Sequence, residues 1–221
     1  MDKMVNKNNA ELAPISGLEN MDSEDIAMPT LYVDGKMGIF RNSLDEKEKK
    51  DQVKGVLLTY NKGWKYREGD PPVTKCRSFD GQTGTFGTSC EGCPRRVKQP
   101  DSKDFCKRVY DFLFLPEGES MPYILSITQV TSLGEVKKYL TLFAKKLKQP
   151  LFSAKSVISL EKTKNKQGYE YFKVKFEKGE DLSQDTQAKL EEIMRLYRFK
   201  KSQEGEEVDV ESDLEDPSAP F

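Results

Sequence analysis

The chain has 221 residues, a formal net charge of −1 and no histidine, which excludes the commonest general base, the Ser–His and Cys–His nucleophile pairs, and any mixed His/Cys metal site. Charged residues make up 33% and apolar ones only 36%, so one domain of moderate size with an economical core and a highly charged surface is expected. No apolar run approaches the roughly 18 residues of a membrane span and no basic-then-apolar leader opens the chain, so the expected setting is soluble and cytoplasmic, without membrane contact.

The small net charge hides an asymmetry. Residues 202–221 carry −8 and residues 1–29 carry −4, which leaves +11 on 30–201. A basic body between acidic ends points to a polyanion-binding domain with a self-competing tail; a merely solubilising tail is the alternative. Residues 1–29 lack periodicity and read as a disordered leader, and 202–221 as a disordered acidic tail.

Order is expected from residue 30, where Asp34-Gly35 between two short apolar runs signals a two-residue hairpin. The charged run 45–51 reads as a loop or short helix. Strand-forming residues follow at 53–60, closed by a turn at Asn61-Lys62-Gly63. In the next strand, Trp64 and Tyr66 share one face while Lys65 and Arg67 share the other. Further strands are expected at 110–115 and 122–128. Ser132 and Glu135 fit a capping box for a helix over 132–148, stopped by Pro150, with Lys137, Lys138, Lys145, Lys146 and Lys148 on its outer face. A hairpin over 156–163 and 169–178 and a last helix from 183 to about 199 complete the pattern. Many short strands followed by helix, hairpin and helix predict a mostly β fold (β+α). An OB-like five-stranded barrel, elaborated by an insertion at about 73–108, fits a basic, aromatic-rich chain best.

All four cysteines fall in that insertion: Cys76, the pair Cys90 and Cys93, and Cys106. Four sulfurs with one two-residue gap suit a closed, structural Zn2+ site, since a tight turn can aim two of them at one ion. Two disulfides or four unrelated thiols are the alternatives. A closed site reserves no position for a catalytic water, so these residues argue for architecture and no catalytic residue is assigned.

Candidate DNA contacts come from rings placed beside cations. On 169–178, Tyr169, Tyr171, Lys173 and Lys175 share one face and Phe172, Val174 and Phe176 the other. Rings can stack unpaired bases while lysines meet phosphates. Trp64 and Tyr66, flanked by Lys65 and Arg67, form a second platform, although a lone tryptophan also suits a core. Arg77, Arg95 and Arg96 add cations on the cysteine loops. At the end of the chain, Asp216, Pro220 and Phe221 form an acidic, aromatic-ended segment that a basic-rimmed pocket on a partner could capture.

A basic aromatic body with an acidic tail ending Pro220-Phe221 resembles the bacterial and phage single-stranded-DNA-binding proteins, with Ala219 where the bacterial family usually has Ile. The block Cys76-Arg-Ser-x-Asp-Gly81 followed by Cys90-x-x-Cys-Pro94 is similar to phage proteins of the same functional class. The resemblance implies a phage-type OB-fold protein with a zinc lobe that holds single-stranded DNA during replication or recombination. It also implies replication or recombination partners recruited through the tail, and a bacterial host cytoplasm as its setting. No small-molecule substrate is implied. A small metal-dependent nuclease and a zinc-containing protein–protein adaptor are the competing function classes.

Overall fold

The computed structural model describes residues 28–35, 37–45, 47, 49–69, 73–97, 105–128, 132–164 and 168–197. The expected leader up to residue 27, the segment 202–221 with Asp216, Pro220 and Phe221, and the turn residues 165–167 lie outside the described residues. One nine-stranded sheet organises the rest, with two helices packed on it. The strands are β1 (Thr30–Asp34), β2 (Ile39–Asn42), β3 (Lys49–Lys50), β4 (Gln52–Glu68), β5 (Val73–Ser78), β6 (Lys107–Pro116), β7 (Tyr123–Ile127), β8 (Ala154–Lys164) and β9 (Glu170–Asp181). They pair in the order β3-β2-β1-β7-β6-β4-β8-β9, with β5 on the remaining edge of β4. The sheet is not closed by a ladder between its ends, so the mostly β expectation holds while the five-stranded barrel is not what the pairing displays.

The central element is β4, a single 17-residue strand where the sequence suggested two strands and a turn. Asn61, Lys62 and Gly63 stay in the ladder, opposite Asp111, Tyr110 and Val109 of β6. Gly63 is there for close approach rather than for a turn, because a Cβ would run into the Ser78 carbonyl of β5. A bulge between Leu57 and Thr59 reverses which residues face which way. Before it Val53 and Leu57 enter the main core; after it Tyr60 joins that side.

That core lies under helix α1 (Leu133–Thr141) and contains Phe40, Phe112, Phe114, Ile127, Val136, Ile158 and Val174. Phe176 tilts against Phe112 and Tyr139 at 5.9 and 5.3 Å between centroids. The opposite face of the sheet buries Val56, Leu58 and Leu113 under Leu190 of α2 (Gln184–Leu196). Met28 packs into this second layer and the Pro29 carbonyl accepts from Ile124 N, so both described residues on the leader side of the expected boundary belong to the fold.

Several local expectations are corrected. The first hairpin is not a two-residue one: Asp34 pairs with Ile39, and Gly38 N donates to the Asp34 carbonyl at 2.9 Å. Part of the charged run 45–51 forms β3, and the sheet reaches into the expected insertion through β5 and the first residues of β6, leaving a lobe described at 79–97 and 105–106 that carries no strand. Ser132 makes no capping bond; its Oγ accepts from Val174 N at 2.9 Å and ties the helix start to β9. Beyond Thr141 the helix widens into a π-type segment (Leu142–Leu147) and ends on Lys148 with φ of 54°. Ser183, in contrast, does cap α2 through Thr186 N. No helix among the described residues is long and apolar enough to cross a membrane.

Candidate nucleic-acid interface

The bulge in β4 places Tyr60, Lys62, Trp64 and Tyr66 on the face that carries the main core, and the register sets Tyr110 and Arg108 of β6 beside Lys62 and Trp64. The result is a row of rings and cations running out from the core edge. Tyr60 and Tyr110 stack at 6.1 Å with 26° between their planes, and the Lys62 ammonium lies over both, at 5.8 and 5.9 Å. Further along, Arg108 lies 4.0 Å and Arg96 4.2 Å from the Trp64 centroid, and Arg95 lies 4.7 Å from that of Tyr66. The guanidinium contacts are favourable because the ring's negative face meets a weakly hydrated, planar cation.

Arg95 and Arg96 arrive from the cysteine lobe, on a single 3₁₀ turn (Pro94–Arg96) after Cys93. The lobe has little apolar content and is held by side-chain-to-backbone bonds. Asp80 accepts from Gln82 N, Thr83 N and Ser78 Oγ at 2.7 to 3.0 Å, which holds its carboxyl below the usual range through the two backbone donors first. Thr85 Oγ1 both accepts from Arg77 N and donates to the Arg77 carbonyl, each at 2.9 Å. Arg96 Nη1 donates to the Cys90 carbonyl at 2.8 Å, and Cys106 N donates to the Arg95 carbonyl at 2.6 Å. These bonds seat the lobe over Trp64 and Tyr66, and leave a cavity of about 460 Å³ lined by Trp64, Tyr66, Phe86, Arg95, Arg96 and the cysteines.

The expected zinc site is corrected. Cys76, Cys90, Cys93 and Cys106 all border this cavity as free thiols, yet among the described residues no three His, Cys, Asp or Glu side chains form a group that could hold a metal ion. Burial first, and then the neighbouring Cys76, Cys90 and Cys93, push the Cys106 thiol up to about 11. The lobe is held instead by its hydrogen bonds and by the guanidinium–ring contacts.

The remaining expected contacts divide by face. Lys65 and Arg67 sit on the opposite side of β4, with Arg67 exposed. Burial, then Arg77 and Arg67, lower Lys65 to about 8. Arg77 lies 4.4 Å from the Phe79 ring, and its Nη2 is 2.8 Å from Oδ1 of the fully buried Asp111. This pair attracts by charge without hydrogen-bond alignment, and it ties β5 to the β6 side of the sheet. Just before β9, Tyr169 is 70% exposed, whereas Tyr171 on the strand is half-buried. Lys173 pairs with Glu161 across the ladder at 3.3 Å and Lys175 with Glu177 at 2.8 Å, so their charge is largely compensated.

The structure therefore brings Trp64, Tyr66, Arg95 and Arg96 together, separates Lys65, Arg67 and Arg77 onto the other face, and keeps the β9 residues on a distant edge. Sequence reasoning missed Tyr60, Tyr110 and Arg108. Alternation along Lys107-Arg-Val-Tyr110 was the available signal, since Arg108 and Tyr110 must share a face. No family model, curated protein or solved structure matches the chain.

Proposed function

We propose that the chain binds single-stranded DNA with little sequence preference, through the ring-and-cation row of β4 and β6 and the arginines of the cysteine lobe. The observation that carries this reading is the juxtaposition of the half-buried rings of Tyr60 and Trp64, backed by the buried rings of Tyr110 and Tyr66, with Lys62, Arg95, Arg96 and Arg108. Unlike Lys173 and Lys175, these four cations pair with no carboxylate among the described residues, which leaves them for phosphate. Rings that stack any base, set beside unpaired cations, are what a sequence-tolerant single-strand groove requires. The groups bind and do not react, and no catalytic residue is assigned.

The scaffold is read as an elaborated OB-like barrel. Supporting it, β4 pairs with both β6 and β8, the meander β4-β6-β7 leads into α1, and the β8–β9 hairpin returns to β4. Phe172 N of β9 also donates to the Gly35 carbonyl of the first hairpin at 3.3 Å, one bond across the gap a barrel would close. Replication or recombination proteins remain the proposed partners of the acidic segment 202–221.

The test is anisotropy of a labelled oligo-dT titrated with the full chain across a salt series, with duplex of the same length as control. Affinity should fall steeply with salt, because each neutralised phosphate releases counterion. Salt-independent binding, or preference for the duplex, overturns the proposal.

A further inference from the structure

We infer that the cavity between the cysteine lobe and β4 is a nucleobase pocket, in which an unpaired base stacks on Trp64 by taking the place of Arg96; this rests on the single-strand reading above. With two guanidinium groups over one indole, at 4.0 and 4.2 Å, a base reaches that ring only by displacing one of them. The two are not equivalent. Arg108 is half-buried and fixed by the β-ladder directly opposite Trp64. Arg96 is exposed and stands on a three-residue turn, held by its contact with the ring and by its bond to the Cys90 carbonyl. Arg96 is the one that moves.

The space for the base is already present. The cavity of about 460 Å³ lies within the range of small-molecule sites and is bordered by Trp64, Tyr66, Phe86 and the thiols. Phe86, 73% exposed, supplies a second ring at its border. Its other polar lining includes Ser78, Thr88 and Ser89, hydroxyls that both donate and accept, which agrees with stacking that tolerates any base. The exchange is near balance, since a guanidinium–indole contact and a base–indole stack are of the same order. What tips it is the phosphate of the incoming nucleotide, which the released Arg96 can engage with a charge-assisted bond.

Trp64 is the single tryptophan, so its emission reports this ring alone. The full chain is titrated with oligo-dT while anisotropy of a label on the DNA and Trp64 emission are read together, with acrylamide quenching before and after saturation. Emission should change in step with anisotropy, and bound DNA should protect Trp64 from acrylamide. Arg96→Ala should leave Trp64 more accessible to acrylamide in the free protein and reduce the salt slope by about 0.7, the share of one phosphate contact on a single strand. Trp64→Leu, which keeps apolar bulk under the lobe, should weaken binding by about fivefold or more with an unchanged circular dichroism spectrum.

The outcomes separate the two proposals. Anisotropy that rises while Trp64 emission and accessibility stay constant overturns the pocket and leaves single-strand binding standing. An Arg96→Ala protein matching the parent in both accessibility and salt slope overturns the exchange. If anisotropy does not rise at all, the functional reading fails and the pocket with it.

Discussion

Lys65 shows how one residue's surroundings set a measurable property. It lies in the ladder between Arg77 and Lys107, faces Arg77, Arg67 and Asp111, and is lowered to about 8 by burial first and those arginines next. A lysine whose folded pKa lies below its unfolded value makes the unfolded state bind more protons between the two. Stability should therefore rise with pH from about 8 upward, the penalty for the buried charge being fully present below that. Cys106, pushed up to about 11, works in the opposite sense once unfolded thiols begin to ionise, so the rise is confined to about one unit. Lys65→Met removes the titrating group and keeps the stem. It should stabilise the protein at pH 7 by about 1–3 kcal/mol and flatten the rise, read by urea unfolding at pH 7, 8 and 9. A Lys65→Met protein that keeps the same pH dependence would place the titration elsewhere.

Among the elements, α1 and α2 begin on serines with different tasks. Ser183 accepts from Thr186 N at 3.3 Å as an ordinary cap near the surface. Ser132 is fully buried and accepts instead from Val174 N, in the centre of β9. Replacing Ser132 by Ala leaves a buried backbone N–H unpaired, which should cost about 1–3 kcal/mol, whereas Ser183→Ala should cost about 1 kcal/mol, the usual worth of a cap. Denaturant midpoints at constant m-value decide the order. Equal losses would mean that the bond from Ser132 to β9 contributes no more than a cap. The element-level logic also explains β4: its bulge and Gly63 allow one long strand to bear β6, β8 and β5, and so carry the ring row past the end of the core.

At the scale of the whole molecule, charge is the organising quantity. The segment 202–221 carries −8 against +11 on 30–201. As a polyanion attached to the same chain, it should compete with DNA for Lys62, Arg95, Arg96 and Arg108. Removing residues 202–221 should tighten oligo-dT binding severalfold at low salt, with the gain disappearing near 0.5 M salt, where the Debye length is only about 4–5 Å. Equal affinities of the two forms at low salt would rule the competition out.

Period-2 alternation was enough to separate Trp64 and Tyr66 from Lys65 and Arg67, and Phe172, Val174 and Phe176 from the solvent face of β9, because side-chain direction in a strand is a local property. The mostly β class and the two late helices with a hairpin between them were legible from such local patterns, and the charge asymmetry from composition alone. The sequence alone did not determine that Arg96 and Arg108 converge on Trp64, since they come from separate elements and meet only through lobe docking and strand register. Nor did it determine that Ser132 would serve β9 rather than its own helix, or that Asn61-Lys62-Gly63 would stay extended under the pull of β6 and β5. The spacing of Cys76, Cys90, Cys93 and Cys106 suggested a metal clip, but spacing constrains only neighbours along the chain. Where the sulfurs finally stand was decided by the fold of the lobe over β4, and there no three of them form a group that could hold a metal ion.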